Sequence, residues 1–206
     1  NYTLAFPLDI PQNVEIRGDG QTKTSLGFLP FLWDLGELPE TIIHLHGNVH
    51  IHDMDFSGSR ISSLFGAKNA KYIRIERCSF FFEPFAGGAT VTLCSGEKYS
   101  STELYSETRK EQDYWYGHTP AILFAMEKCE AVYLRDLRMD NEGIVGAYRF
   151  NCYASLIQNC VFGVHGGAVT AGSDLMLIGN RYFCGCAVNG DAVNGCGVFF
   201  AHNRIE

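Results

Sequence analysis

No apolar run in the chain approaches the roughly 18 residues needed for a membrane-crossing helix, and no membrane span is expected. The first ten residues lack the basic start and long apolar stretch of a signal peptide. Basic residues are also scarce. Lys and Arg number 16 against 23 Asp and Glu, a formal charge of −7, and no basic cluster offsets the average, which argues against a nucleic-acid surface. The eight cysteines contain no CxxC pair, and Cys184-Gly185-Cys186 has the wrong spacing for a zinc site. There is no initiating Met, and Glu206 follows one residue after an expected strand position without a visible cap. Because open strand edges normally need covering, a fragment of a longer chain is expected.

What is present is enough for a core. With 206 residues, 46% hydrophobic and 19% charged, the chain reads as one folded domain spanning 1–206. A phrase recurs near its end: Leu156-Ile157-Gln158-Asn159-Cys160-Val161-Phe162, Leu177-Ile178-Gly179-Asn180-Arg181-Tyr182-Phe183 and Phe200-Ala201-His202-Asn203-Arg204-Ile205. The asparagines are 21 and 23 residues apart. A period in the low twenties, with apolar residues three before and two after the asparagine, signals a solenoid. The reading is all-β, a parallel β-helix.

The same register extends backwards. Ile16, Ile51, Ile75, Leu134, Leu156, Leu177 and Phe200 stand three residues before successive turn positions, and Val14, Val49, Ile73, Val132, Ala154, Leu175 and Val198 stand five before. Two apolar residues separated by one other is strand spacing, so both columns are expected to face one core. The turn positions Asp19, Met54, Cys78, Leu137, Asn159, Asn180 and Asn203 are 35, 24, 59, 22, 21 and 23 residues apart, giving about seven coils with loops of variable length. A left-handed turn residue costs least as Asn, which can also bond to its neighbours in the stack. Only the last three coils supply it.

Pro7-Leu8-Asp9-Ile10-Pro11-Gln12-Asn13-Val14-Glu15-Ile16-Arg17-Gly18-Asp19-Gly20, with Thr22 close by, resembles the opening coil of the pectate-lyase-like superfamily. That resemblance implies a right-handed parallel β-helix, as in pectate lyases, polygalacturonases and many phage tailspikes. It bears on fold more than on function, since the superfamily includes lyases, hydrolases, epimerases and inert modules. A lyase would need an Arg or Lys base and carboxylates holding calcium; otherwise no cofactor is expected. A hydrolase would need carboxylates on neighbouring coils. Gly163-Val164-His165-Gly166-Gly167 faintly resembles the Gly-His-Gly of polygalacturonases, but the partner motifs are missing, so that activity is not carried over.

The 59-residue interval holds one long loop insertion, at about 84–119. Within it Tyr114-Trp115-Tyr116-Gly117-His118 is the most site-like segment: flat rings stack on sugar faces, while phenol, indole and imidazole groups bond to hydroxyls. Alternatively these rings anchor the loop against the scaffold. Glu127, Asp174 and Asp191 are candidate catalytic carboxylates, expected near one edge of three successive coils; solvated surface acids are the alternative. His44, His46, His50 and His52 read as outward, solvated residues. His50 and His52 share a face, but no third ligand is evident, so no metal site is assigned. Cys129 and Cys152 are expected as neighbours in adjacent coils, whereas Cys152 and Cys196, two coils apart at ~4.8 Å per coil, are too distant for a bridge.

Two functions compete on this reading. One is a tailspike-like protein that binds or depolymerises polysaccharide, whether or not it is an enzyme; the other is a non-catalytic module of a viral or cell-surface fibre. Either implies an extracellular or virion setting. The outward pairs Glu15/Arg17, His50/His52, Arg74/Glu76 and Tyr133/Arg135 of the first four coils are polar, whereas Ser155/Ile157, Met176/Ile178 and Phe199/Ala201 make the late wall apolar. Such a patch is seldom left bare. Ile157, Met176, Ile178 and Phe199 are therefore expected to meet other subunits in a parallel homotrimer.

Overall fold

The structure, a computed structural model, describes residues 2–4, 7–28, 41–59, 63–83, 90–92, 98–100, 122–139, 146–162, 173–183 and 197–206. Side chains of 28, 58, 59, 63, 82, 83, 90–92, 98–100, 122, 146–151, 173 and 174 are outside that description. Every regular element among these residues is a strand. All but the short pair Thr90–Thr92 with Lys98–Ser100, which lies inside the insertion and is antiparallel, pair in parallel.

The parallel pairings form three ladders. The first joins Val14–Arg17, 49–52, 71–76, 130–135, 153–158, Ser173–Ile178 and Val198–Ala201. The second joins Tyr2–Leu4, Ser25–Phe28, 55–59, 79–83, Arg138–Met139, Val161–Phe162, Arg181–Tyr182 and Arg204–Ile205. The third joins Leu8–Ile10, Ile43–Leu45, Ser63–Lys68, 122–127 and 146–151. Where all three are described, each pass of the chain visits third, first and second in that order. Such an all-parallel arrangement is compatible with a solenoid. The insertion leaves after Glu83 on the second ladder and returns at Ile122 on the third.

Each ladder sends alternate residues into a common core. Ile51, Ile75 and Leu134 stack on the first ladder, Phe56 and Phe80 on the second, Phe65 and Phe124 on the third, all buried. The rings of the last two pairs lie parallel at 5.3 and 5.7 Å. Offset stacking of like residues in successive passes is what a repeat with fixed register produces.

Two corners are left-handed. Between the first and second ladders Asp53, Arg77, Asp136, Asn159, Gly179 and His202 have φ from 50° to 68°. Between the third and first, Asn13, Asn48, Tyr72, Ala131 and Ala154 have φ from 47° to 66°. A left-handed non-glycine costs about 1–2 kcal/mol. Its recurrence at equivalent positions, even as Tyr or Ala, shows that strand pairing on either side dictates the corner.

These corners correct the expected register in one pass. Tyr133 pairs with Leu156, and Leu134 with Ile157, so Ser155 and Ile157 point into the core and are fully buried. Leu156 faces outward, and Ala154 is an exposed corner residue. The inward residue of the turn is then Cys160, not Asn159. It aligns with Leu137 before it and Asn180 after it. Ser155 is tolerated inside because its hydroxyl accepts from the Val132 N–H at 3.2 Å and donates to the Tyr153 carbonyl at 3.0 Å. In the first pass an extra loop likewise moves the aligned turn residue from Asp19 to Thr24, adjacent to the Ser25–Asp55 pair.

The asparagine ladder therefore works differently from the expectation. Asn180 and Asn203 are not themselves left-handed; Gly179 and His202 are. Asn180 Oδ1 accepts from the Cys160 N–H at 2.9 Å while Nδ2 donates to the Ile157 carbonyl at 3.0 Å. Asn203 repeats the arrangement on Asn180 N–H and the Leu177 carbonyl, at 2.9 and 2.7 Å. Each amide thus bonds to the backbone of the pass before it. Direct amide-to-amide stacking occurs at the other corner, where Asn48 Nδ2 donates to Asn13 Oδ1 at 2.6 Å.

Candidate functional site

Register fixes which outward side chains meet on the first ladder. Glu15, His50, Arg74 and Tyr133 form one column, and Arg17, His52, Glu76 and Arg135 form the next. Strand spacing brings them together from passes that are 24 to 59 residues apart in sequence. Neither column could be seen as a cluster in any single segment.

His52 is 6% exposed, not solvated as the sequence suggested. Its Nδ1 lies 2.6 Å from Asp53 Oδ2 and its Nε2 lies 2.8 Å from Glu15 Oε1. Arg77 fixes the orientation of Asp53, donating from Nε to Oδ1 at 2.6 Å and from Nη2 to Oδ2 at 2.9 Å. These hydrogen bonds, from Arg77 first and His52 second, hold the Asp53 carboxyl far below its usual range. The same pairing pushes the Arg77 guanidinium upward. The His52 hydrogen bond likewise holds Glu15 down.

Glu76 is the second centre, 3% exposed. Burial alone would push its carboxyl up, but Arg74 at 3.0 Å and His50 at 3.2 Å together outweigh burial and hold it below its usual value. Arg77 and Arg135 approach the same carboxylate at 3.5 Å each. The His50 ring stacks on that of His52, centroids 4.2 Å apart, and burial followed by this neighbour lowers its proton affinity. The ligand atoms of Glu15, His50 and His52 all fall within 4.8 Å of one another. The third donor that sequence did not reveal is thus Glu15, contributed by the preceding pass.

Of the other expected site residues, Glu127 and Asp174 do not converge here. Tyr114, Trp115, Tyr116 and His118 lie outside the described residues, as does Asp191. Glu127 ends the third-ladder part of its strand and is ion-paired with Lys68 at 3.3 Å. Asp174 lies on the first ladder, between Ser173 and Leu175, whose partners are Tyr153 and Ser155. Glu127 and Asp174 are therefore on different ladders rather than at equivalent places. Cys129 and Cys152 are register partners, as expected, and both are free and buried.

Further along the wall the chemistry changes. Leu156, Met176 and Phe199 continue the Glu15 column, and Gln158, Ile178 and Ala201 continue the His52 column. Met176 is 40% and Phe199 59% exposed. Of the four residues assigned to a subunit interface, Ile157 is removed by the register correction, because its side chain is in the core. Leu156 stands in its place.

Glu15, Asp53, Glu76, Arg77 and Arg135 were not singled out from sequence as site residues. The available signal was the repeat itself: aligning Val14-x-Ile16 with Val49-x-Ile51 and Ile73-x-Ile75 places Glu15, His50 and Arg74 in one column. No known protein family matches the chain, and no curated protein matches it. Among the described residues, no helix is long and apolar enough to cross a membrane.

Proposed function

We propose that the chain is a right-handed parallel β-helix of about seven coils, of the pectate-lyase-like kind, and that it engages polysaccharide. The observation that carries this reading is the outer face of the first ladder. Glu15, His50, Arg74, Tyr133 and Arg135 hold carboxylate, imidazole, guanidinium and phenol groups there on a rigid backbone at the ~4.8 Å strand spacing, exposed or half-buried, over the buried His52 and Glu76. Such groups donate and accept hydrogen bonds in fixed directions, as recognition of a polyhydroxylated chain requires. Tyr72, 58% exposed at a neighbouring corner, adds a ring face for stacking. Tyr114, Trp115, Tyr116 and His118 of the insertion are proposed as a further sugar platform, and Glu127, Asp174 and Asp191 as the carboxylates to test for hydrolysis. A calcium requirement would accompany a lyase activity.

The test is a screen of neutral and acidic polysaccharides for new reducing ends and for absorbance of an unsaturated product. The reading expects at least one glycan to be bound, and depolymerisation would identify an enzyme.

A second reading, a non-catalytic fibre module, is favoured by a specific observation. Much of the wall's charge is already internally paired, and the wall ends in the apolar column Leu156, Met176 and Phe199. An apolar stripe of this kind fits burial against copies of itself in a parallel homotrimer. Extracellular or virion placement goes with either reading.

A further inference from the structure

We propose that Glu15, His50 and His52 form a binding site for a divalent transition-metal ion of the zinc type. Two imidazoles and one carboxylate are a recurrent donor set for zinc with an open fourth position. They suit calcium poorly, since calcium takes six to eight oxygen ligands.

Geometry brings the set close to closure. The ligand atoms lie within 4.8 Å of one another. Ligands on one tetrahedral zinc, at bonds of about 2.0–2.2 Å, are roughly 3.4 Å apart. Glu15 Oε1 already lies 2.8 Å from His52 Nε2, its side chain is mostly exposed, and no separation in the set exceeds the spacing of two ligands on one ion by more than about 1.4 Å.

A second, independent observation points the same way. Metal-bound histidines characteristically give their other ring nitrogen to a carboxylate, which fixes tautomer and orientation. His52 has this support: Asp53 Oδ2 is 2.6 Å from Nδ1, leaving Nε2 directed at Glu15, and Arg77 clamps Asp53 through two hydrogen bonds. His50 lies against buried Glu76 in the same way, at 3.2 Å. The nearby guanidinium charge is offset, because Arg77 is held by Asp53 and Arg74 by Glu76.

The site shares the outer face of the first ladder with the proposed glycan contact but does not rest on it, and metal binding is tested without glycan. The purified chain, stripped with a chelator, is titrated with cobalt chloride and read by visible d–d absorption, with zinc chloride added afterwards to displace the signal. One cobalt per chain is expected, in an intense low-symmetry band that zinc removes. Glu15→Gln, a change at the surface, should weaken cobalt at least about tenfold, and Asp53→Asn about 10- to 100-fold. His50→Gln should abolish the band, whereas His46→Gln should leave it unchanged. Circular dichroism of each variant separates lost binding from lost folding, and Glu15→Gln remains decisive if a histidine variant fails to fold. The absence of a band, a band unaltered by Glu15→Gln, or thiolate-to-cobalt charge transfer in place of the expected spectrum would overturn the assignment.

Discussion

Replacing Asn180 by Ala removes a side chain that is 1% exposed and occupied at both ends. The Cys160 N–H would lose its acceptor and the Ile157 carbonyl its donor. Both groups are backbone, both lie between stacked passes, and the cavity left by the amide is bounded by core. An unsatisfied buried group costs about 1–3 kcal/mol, so the pair predicts a loss of about 2–6 kcal/mol, at the low end if water enters. Asn159→Ala is the matched control. Asn159 belongs to the same sequence phrase but is an exposed left-handed corner, so its loss should cost no more than about 1–2 kcal/mol. Urea unfolding followed by circular dichroism, with the slope compared across variants, measures both. Equal effects of the two substitutions would refute the assignment of one asparagine to the interior and the other to the corner.

Three further outcomes are expected. Met176→Glu and Phe199→Glu should dissociate an assembled wild type in sedimentation velocity; a wild type that is already monomeric would contradict the interface. Trp115→Ala should weaken glycan binding while leaving the melting temperature nearly unchanged, whereas a large fall in melting temperature would make the ring structural. Burial pushes the Cys78 and Cys160 thiols up to about 12, so at pH 8 both are neutral as well as inaccessible. Peptide mapping should find them unlabelled by iodoacetamide in the native protein and fully labelled in denaturant; rapid native labelling would show that the core opens.

The parallel ladders were legible because the repeat is simple physics: an apolar pair at strand spacing, a turn, and another inward residue. Ile51-Met54-Phe56, Ile75-Cys78-Phe80, Leu134-Leu137-Met139 and Leu177-Asn180-Tyr182 keep the same offsets, and all twelve are buried. The slip in the fifth alignment came from following the asparagine instead of those offsets. Ile157-Cys160-Phe162 fits them, but it requires Ser155 inside, and a buried hydroxyl satisfied by backbone has no signature in hydropathy. The histidine cluster was half legible. His50 and His52 were seen to share a face, yet Glu15 and Glu76 come from other passes and acquire meaning only once the register is fixed. The role of Asp53 was hidden by a corner that turns its carboxylate back toward the preceding histidine.

Affinity electrophoresis through gels containing a panel of neutral and acidic polysaccharides tests the central claim most directly. Folded wild-type protein is predicted to be retarded by at least one of them, with the retardation reduced when Tyr133 and Arg135, outward on the first ladder, are both changed to Ala. Unretarded migration of the folded protein in every gel would contradict carbohydrate engagement.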